Sequence, residues 1–355
     1  MKRLFYTLLF FLPCMLIACG GSDDTPDGDN NPPVVVPPDE EPVDSRLLYN
    51  GIRLPEQWPP VRSSSSELEK GMSPFYLSDK PSVINISVGR QLFVDNFLIE
   101  STNLKRALYY PEYYSGNPIL TPEQDWEKTG TKGAAFAAPF SDGVWYDEKE
   151  GKYKMWYMAG GGSYATSGAG VTCYAESTDG IHWTKPTLSV VAGTNIVDYN
   201  SERDASVIWL DKQESNASKR YKMFLVARES GKWRYRYKTS PDGKVWRAAA
   251  QSEPIADRST VYKNPFRNVW VYSMRHNVRV DANKLVRARD YNENADPEVG
   301  TKKAEALLSA FWFGPWANEQ RHTDYPNIAP AIYNQDATPY ESIMLGFFSV
   351  WQGPE

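Results

Sequence analysis

Residues Tyr153–Pro186 read YKMWYMAGGGSYATSGAGVTCYAESTDGIHWTKP and predict three consecutive β-strands. An aromatic strand is followed by a Gly/Ser-rich turn, a second alternating strand, and an Asp-Gly hairpin that leads into a short third strand. The stretch Tyr221–Trp246 repeats the Tyr-Lys-Met start and the Ser-x-Asp-Gly-x-x-Trp turn. One antiparallel unit of this kind cannot bury both of its faces, so several units are expected to pack around a common centre. The repeat therefore predicts an all-β fold, a β-propeller.

The composition agrees with stacked sheets and excludes several classes of partner. The 355-residue chain is 14% aromatic, with 12 Trp and 22 Tyr, which favours strands packed face to face. Its formal net charge of −5 provides no basic surface for nucleic acid. The chain has three His, and no His/Cys/Asp cluster shows the spacing of metal ligands. We therefore expect no nucleic-acid partner, no metal and no cofactor.

The first 19 residues are typical of a lipoprotein signal peptide. A positive Met-Lys-Arg start precedes an apolar segment that is too short for a stable membrane span. The segment ends in Leu16-Ile17-Ala18-Cys19, which is similar to a bacterial lipobox and predicts lipidation of Cys19. Lipid chains would hold the exported protein at the outer membrane or cell surface without a transmembrane helix. An ordinary secretory signal is the alternative.

The segment behind Cys19 is predicted to be a tether. Residues 20–60 begin with a stretch rich in Pro, Asp, Gly and Asn that cannot bury a core, so we expect a disordered linker. The acidic residues directly after Cys19 resemble the surface-export signal of Bacteroidetes-type lipoproteins. Cys173 is the one cysteine left for the folded part, because Cys14 belongs to the signal peptide. It alternates with Val171 and Ala175, so a buried thiol is expected.

The predicted propeller domain covers residues 61–355. Strands at Val83–Glu100 come first, and four units follow: Gly133–Pro186, Arg203–Arg247, Asp257–Arg289 and a fourth that opens at Ile332. Helical periodicity is found only around Lys302–Leu308, which predicts a short surface helix. The fourth unit has room for barely two strands before Glu355. The sequence therefore predicts a five-bladed β-propeller that is truncated in its fourth or fifth blade.

Acidic residues recur at the starts of predicted innermost strands. In a propeller these strands begin beside the central channel, and the residues just before them form a rim where ligands bind. Asp204, Asp257 and Glu341 take this place in consecutive units. Arg203 and Arg258 adjoin two of them and are expected to hold a carboxylate ionised or to bind a sugar hydroxyl. The alternative is that all three acids cap turns at strand starts.

These features resemble a known family. The meanders, the Asp-Gly-x-x-Trp hairpins and the rim carboxylates are similar to the five-bladed β-propeller glycoside hydrolases of the invertase, arabinanase and levansucrase type, families 32 and 43. The resemblance covers about Val83–Glu355. It implies an Asp base or nucleophile, an Asp stabiliser in an Arg-Asp-Pro motif, and a Glu general acid. Arg203-Asp204-Ala205 is similar to that motif without its proline, while the Asn-Asp-Pro-Asn-Gly and Glu-Cys-Pro motifs are absent.

The resemblance allows two assignments of the acids. If Asp204 is the stabiliser, Asp142 of the preceding unit would be the base and Asp257 the acid. If the order Asp, Asp, Glu is kept, the catalytic set is Asp204, Asp257 and Glu341, with Glu341 as the acid whose pKa neighbouring carboxylates raise. We favour the second, because residue type and strand position agree in all three units.

Five further residues are predicted to contact the substrate: Arg203, Arg258, His276, Asp142 and Trp126. His276 follows a predicted strand and could instead lie in a surface loop. Trp126 could stack on a sugar ring or pack over the fold.

The sequence therefore predicts an extracytoplasmic, lipid-anchored glycoside hydrolase-like protein with a carbohydrate substrate. The alternatives are a non-catalytic glycan-binding lipoprotein, a propeller scaffold for protein partners, and an inactive truncated fragment.

Overall fold

A computed structural model describes residues 46–58, 75–128, 135–164, 170–199, 202–281, 284–305, 309–316 and 319–354. All of these belong to the second of the two units into which the chain divides, Pro37–Glu355. The predicted signal peptide, Cys19 and the first part of the predicted tether lie outside the described residues.

In the described residues, fifteen strands form four antiparallel sheets in chain order. The first sheet contains β1 (Ala137–Ala138), β2 (Val144–Asp147), β3 (Lys152–Ala159), β4 (Val171–Ser177) and β5 (Ile196–Asp198). The second contains β6 (Glu202–Leu210), β7 (Tyr221–Glu229), β8 (Lys232–Ser240) and β9 (Arg247–Gln251). The third contains β10 (Thr260–Asn264), β11 (Val269–Asp281), β12 (Lys284–Asn294) and β13 (Ala310–Phe313). The fourth is the hairpin of β14 (Ala331–Tyr340) and β15 (Ile343–Trp351). The all-β prediction is confirmed.

The innermost strands of neighbouring sheets contact one another, as the blades of a propeller do. The amide of Ile208 donates to the carbonyl of Asp142 at 2.6 Å, which joins the first two sheets. The hydroxyl of Thr260 donates to the carbonyl of Gln335, which joins the third and fourth. The fourth returns to the first through the Ser141 hydroxyl, 3.0 Å from a carboxylate oxygen of Asp336. The described residues thus hold four blade-like sheets, and the predicted fifth blade is not among them.

The two Ser-x-Asp-Gly-x-x-Trp turns have the same structure, which explains their repetition. The Ser177 hydroxyl accepts a hydrogen bond from the amide of Gly180 at 2.9 Å, and the Ser240 hydroxyl accepts one from Gly243 at the same distance. Both glycines have left-handed backbone angles, with φ of 76° and 77°. Glycine adopts this conformation without the steric cost that other residues bear.

The repeated Tyr-Lys-Met starts bury a lysine in each sheet. Lys154 is fully buried and Lys222 is 2% exposed. Each ammonium group pairs with the two acids of an Asp-x-x-Glu segment that precedes it in the chain. Lys154 Nζ lies 3.2 Å from Asp147 and 2.6 Å from Glu150. Lys222 Nζ lies 3.0 Å from Asp211 and 2.9 Å from Glu214. A buried ammonium needs such partners, so the Lys and the two acids form one recurring element.

Aromatic side chains fill the spaces between the sheets. The rings of Trp145 and Trp209 lie 4.7 Å apart, and Trp209 continues to Trp270 at 5.9 Å. Trp156 of β3 contacts Tyr221 of β7 at 5.5 Å. Cys173 is fully buried together with Val171 and Ala175, as the alternating pattern predicts. The high aromatic content therefore serves mainly to join adjacent sheets.

Two boundaries differ from the sequence-based expectation. Arg46–Trp58, within the predicted tether, belongs to the folded unit, because its apolar residues Ile52 and Leu54 are buried, at 7% and 6% exposure. The predicted strands at Val83–Glu100 are wrong: no strand is assigned there, and Phe93 is 63% exposed. A carboxylate oxygen of Asp95 accepts a hydrogen bond from the amide of Phe97 and closes a turn, which interrupts the pairing.

Helices are short and few in the described ranges. They are Asp125–Lys128 and Pro297–Lys303, with 3₁₀ turns at Phe75–Leu77, Gly162–Tyr164 and Ala217–Lys219. The helix predicted at Lys302–Leu308 begins earlier, because Asp296 caps the amides of Glu298 and Val299 and Pro297 occupies the first turn. Residues 306–308 lie outside the described part. None of the helices in the described ranges is long and apolar enough to cross a membrane.

Candidate active site

The innermost strands bring polar side chains together at the end where β10 begins, which we call the rim. It contains Ser141 and Asp142 before β2, Arg203 and Asp204 in β6, Asp257 and Arg258 before β10, and Tyr333, Asn334 and Asp336 in β14. Three direct contacts link the four sheets here: Asp142 with Arg203, Asp204 with Arg258, and Asp336 with Ser141. The sequence-based prediction that Asp204 and Asp257 lie beside neighbouring innermost strands agrees with this arrangement.

Asp142 and Arg203 form a buried ion pair below the rim. One guanidinium nitrogen of Arg203 lies 2.9 and 3.1 Å from the two carboxylate oxygens of Asp142, which is fully buried. Burial raises the pKa of Asp142, and the positive charge of Arg203 offsets this increase only in part. The other donors of Arg203 are directed to the Thr172 hydroxyl and to the carbonyl of Asp204. The two side chains thus bind each other, while the contact with substrate predicted for both, and the alternative in which Asp142 is the base, stay predictions.

Asp204 is accessible from the rim and is held in place by main-chain donors. One of its carboxylate oxygens accepts hydrogen bonds from the amides of Ala205 and Arg258, both at 2.8 Å. The Arg258 Nε atom lies 3.6 Å from the same oxygen, and the Asp204 side chain is 15% exposed. Amide donors and a guanidinium provide surroundings that suit a carboxylate with a fixed orientation.

The guanidinium of Arg258 lies at the centre of the rim. Its carbon is 3.8 Å from the centre of the Phe140 ring and 4.7 Å from that of Tyr333, so residues of the first and fourth sheets flank it. Arg258 has a φ of 58°, an unusual value for a residue with a side chain. Strained backbone of this kind is often found where a side chain must take a particular direction for function.

Asp257 lies before β10 and contacts β11, the neighbouring strand of the third sheet. A carboxylate oxygen lies 2.5 Å from Nε of Arg275 in β11, and the Asp257 side chain is 31% exposed. Of the two aspartates predicted as catalytic, Asp257 is therefore the more accessible, and it has a single close cationic partner among the described residues. Its place at the rim agrees with the prediction, while its role remains a proposal.

Asp336 is a rim carboxylate that the sequence did not reveal. Its side chain accepts hydrogen bonds from the Ser141 hydroxyl at 3.0 Å and from the Asn334 amide group at 3.1 Å. Burial raises the pKa of Asp336, and these two donors and the charge of Arg289 offset the effect only in part. It lines a cavity of about 400 Å³ between the innermost strands, together with Asp142. A polar run inside a strand, Asn334-Gln335-Asp336, is the signal that could have identified it.

Glu341, predicted to be the general acid, lies away from the other predicted catalytic residues. Glu341 has a φ of 51° and lies in the tight turn after Tyr340, the last residue of β14. Five residues along a strand correspond to about 16 Å, so it is far from Asp336 and the rim. Its carboxylate accepts hydrogen bonds from the side chain and amide of Arg90, which lower the pKa of Glu341. An acid catalyst needs the opposite shift.

The two remaining predicted residues differ in their positions. Trp126 does not face the rim, because its indole N–H donates to the Asn195 carbonyl oxygen at 3.0 Å and its ring packs against the core of the first sheet, which includes Cys173. This arrangement agrees with the alternative that Trp126 packs over the fold, and its predicted sugar contact stays a prediction. His276 lies in β11 beyond the rim, with Nδ1 3.1 Å from Asp290, and this hydrogen bond raises the pKa of His276.

No group of three His, Cys, Asp or Glu side chains in the described ranges is arranged to hold a metal ion. The chemistry available at the rim is that of carboxylates, guanidinium groups and aromatic rings.

Comparison with known proteins gives partial likenesses of fold. No protein-family model matches the sequence, and no curated protein matches it either. Similar solved structures include a family 32 β-fructofuranosidase from Bombyx mori, at 14% identity and a TM-score of 0.40, over 61% of this chain and 44% of that one. Another is a glycosyl hydrolase from Bacteroides ovatus, at 13% identity and a TM-score of 0.31, over 54% of this chain and 59% of that one.

This chain thus spans about half the length of the structures that it matches. At such identities and TM-scores the likenesses are too weak to say what the rim does, which must be judged from its residues. In its described part the chain is a mostly β protein built of antiparallel sheets.

Proposed function

We propose that the protein is a glycoside hydrolase-like enzyme that acts on an oligo- or polysaccharide at the rim. One observation carries this proposal: three successive innermost strands contribute a carboxylate each, Asp204 near the start of β6, Asp257 before β10, and Asp336 in the middle of β14, where it accepts a hydrogen bond from Ser141. Glycosidic cleavage needs one carboxyl group to protonate the leaving oxygen and a second to activate water or attack carbon. Carboxylates in unlike surroundings on one rim are suited to this division of roles.

The surroundings suggest a role for each group. Asp336, whose pKa burial raises, is suited to hold a proton and donate it to the leaving oxygen. Asp204, oriented by two amide donors, is suited to act as the base or nucleophile. Arg258, flanked by aromatic rings, would stabilise negative charge and position a sugar hydroxyl. Asp257 remains a proposed catalytic or substrate-binding residue at the edge of this group.

The test is the variant Asp204→Asn, measured with a panel of 4-nitrophenyl glycosides and oligosaccharides. Asparagine can still accept both amide hydrogen bonds, but it is neither base nor nucleophile, so we expect turnover to fall about 10²–10⁴-fold with affinity retained. Glu253→Gln, at a side chain that is 62% exposed, is the control and should stay near wild type. Hydrolysis that survives Asp204→Asn would contradict the proposal.

A second candidate, a non-catalytic glycan-binding protein, is favoured by one observation. The Arg258 guanidinium and amide both lie against Asp204 and partly cover it. If binding is the whole function, the wild type binds oligosaccharide without turnover, and Asp204→Asn changes affinity alone.

We further propose that the protein is exported and lipid-anchored through Cys19, at the outer membrane or cell surface. The support is the Leu16-Ile17-Ala18-Cys19 sequence after an apolar segment. A polysaccharide substrate outside the cytoplasm agrees with this location. Cys19→Ala should move the protein from the membrane fraction to the soluble fraction, as followed by cell fractionation. A variant that stays with the membranes to the wild-type extent would contradict the anchor.

A further inference from the structure

The side chain of Arg289 is fully buried in the third sheet. It belongs to β12, where Arg289 pairs with Arg275 of β11 on one side and with Phe313 of β13 on the other. Burial lowers the pKa of Arg289 to about 10, so the group is still a cation at neutral pH. A buried charge destabilises the fold unless hydrogen bonds compensate it, so its partners show what it holds in place.

The guanidinium of Arg289 joins the sheet to the segment that carries the rim. Nε donates to the Ser273 hydroxyl at 3.0 Å, and Nη2 donates to the Ser273 carbonyl at 2.6 Å. Nη1 donates to the carbonyl of Arg258 at 2.9 Å. Two nitrogens therefore anchor the guanidinium on β11, while the third reaches Arg258, just before β10 begins.

The backbone of Arg258 is held on both sides of its Cα atom. Its amide donates to a carboxylate oxygen of Asp204 at 2.8 Å, and its carbonyl accepts the hydrogen bond from Arg289. The hydroxyl of the next residue, Ser259, donates to the carbonyl of Ala256 at 2.8 Å and closes the turn. A φ of 58° persists at a residue with a side chain only where the surroundings fix it. Arg289 supplies the constraint on the carbonyl side.

The charge of Arg289 also acts on Asp336. The hydroxyl of Thr260 donates to the carbonyl of Gln335, so β10 and β14 lie against each other here. Burial raises the pKa of Asp336, and the positive charge of Arg289 opposes that rise, together with the donors Ser141 and Asn334. Both Asp336 and Arg258 thus depend on the same buried guanidinium.

Other titratable groups lie around these two side chains. Tyr235 of β8, Tyr262 of β10 and Arg275 of β11 face Arg289. Burial raises the pKa of both tyrosines, so they are neutral where a carboxyl group titrates. Asp142, which lines the same cavity as Asp336, is paired with Arg203. Among these groups, the charge of Arg289 is the one that acts on Asp336.

We propose that Arg289 is a positioning residue for the rim, where it fixes the Arg258 backbone in its left-handed conformation and sets a buried positive charge against Asp336. The inference rests on the proposed function and gives that site a residue that is too deeply buried to touch the substrate. A fixed Arg258 backbone directs its guanidinium before a sugar binds, which preorganises a donor. An acid catalyst must also release its proton, and a nearby cation favours that release where burial alone opposes it.

The first test needs no substrate. The pKa of Asp336 is measured by NMR titration of protein with isotope-labelled aspartate carboxyl groups, and Asp336→Asn assigns the signal. Arg289→Gln keeps a donor but removes the charge, so the pKa of Asp336 should rise above its wild-type value. Arg220→Gln is the control, because it removes a cation paired with Asp147 at 2.8 Å, at the end of β6 opposite the rim. An Asp336 pKa that is unchanged in Arg289→Gln, or that rises equally in Arg220→Gln, would overturn the proposal.

Arg289→Lys keeps the proposal testable if Arg289→Gln does not fold. Lysine retains the charge in the acidic range, so Asp336 should titrate close to its wild-type value. A single ammonium lacks the planar fork that binds Ser273 and the Arg258 carbonyl at once. The Arg258 amide should therefore exchange with solvent about tenfold faster than in the wild type, as measured by hydrogen exchange, and Arg220→Gln should leave it unchanged. Exchange at the wild-type rate in Arg289→Lys would contradict the positioning role.

The readouts separate this inference from the proposed function. With a 4-nitrophenyl glycoside that the wild type hydrolyses, Arg289→Gln should lower kcat about 10–10²-fold and change KM less. Activity that needs a protonated Asp336 is lost as the pH rises through its pKa, so this limb of the pH–rate profile should move to higher pH. A wild-type profile in Arg289→Gln would retain the enzyme and overturn the positioning role. A wild type without turnover, in which Asp336 and Arg258 respond as described, would overturn the enzyme and retain the role of Arg289.

Discussion

Replacement of Gly243 by alanine is expected to lower the free energy of unfolding by about 2–5 kcal/mol, the sum of a strained backbone and an overpacked contact. A Cβ atom at this position would lie 2.3 Å from Cζ2 of Trp156. The ring cannot simply move aside, because the Trp156 indole N–H donates to the carbonyl of Gly243 at 2.7 Å and the side chain is fully buried. This contact joins the first sheet to the hairpin of the second, so the substitution acts on the packing between blades.

Gly180→Ala is the matched control for this effect. Gly180 occupies the same place in the other Ser-x-Asp-Gly turn, with φ of 76° against 77° for Gly243. The nearest atom to a Cβ at Gly180 is 3.8 Å away, which is ordinary contact, so its cost should be the left-handed backbone alone, about 1–2 kcal/mol. Urea unfolding measures both. Equal losses in the two variants would mean that Trp156 does not hold the second hairpin as described.

The second large effect is expected at a buried charge. Lys154→Met removes the ammonium that pairs with Asp147 at 3.2 Å, where both side chains are fully buried. Asp147 keeps its hydrogen bonds from Arg220 and Tyr221, so the loss is that of one buried charge-assisted contact, about 1.5–3 kcal/mol, and the variant should unfold at lower urea concentration. Lys152→Met is the control, because Lys152 is 40% exposed and its solvent-screened pair with Glu176 should contribute little to stability. A Lys154→Met variant as stable as Lys152→Met would contradict the structural role of the Tyr-Lys-Met repeat.

The same substitution has a predicted dependence on pH. Burial alone would raise the pKa of Asp147, but hydrogen bonds from Tyr221 and Arg220 and the charge of Lys154 lower it to about 2. A carboxyl group with a lowered folded-state pKa contributes stability above its unfolded value near 3.9, and that contribution is lost as the pH falls toward 2. Without the charge of Lys154, the pKa of Asp147 is lowered less. The stability difference between Lys154→Met and wild type should therefore shrink as the pH falls from about 4 to 2.

Local sequence patterns were sufficient for most of the strands. The second strand of the stretch Tyr153–Pro186 is observed at Val171–Ser177, and it could be predicted because alternation and an Asp-Gly turn are signals contained in a short segment. The same reasoning failed at Val83–Glu100, where the pattern is apolar but no neighbouring strand pairs with it. Strand formation depends on a partner, and a single sequence does not show whether one is present.

The site was harder to predict than the fold, because it depends on contacts between distant residues. The prediction placed Glu341 before an innermost strand, yet the strand that follows it is β15, and Glu341 lies in the turn that joins β14 to β15. The contact with the first sheet is made by β14, where Asp336 meets Ser141. The Asp142–Arg203 ion pair likewise joins two sheets. Neither sequence segment by itself indicates that these two side chains bind each other.

The central claim is that the rim aspartates and Arg258 form a carbohydrate site. The most direct test is a crystal structure of the Asp204→Asn variant with a bound, uncleaved oligosaccharide that the wild type hydrolyses or binds. We predict a sugar unit at the rim, with a glycosidic oxygen within hydrogen-bond distance of Asp336 and a hydroxyl on the Arg258 guanidinium. Sugar bound elsewhere on the protein, with the rim side chains untouched, would contradict the account.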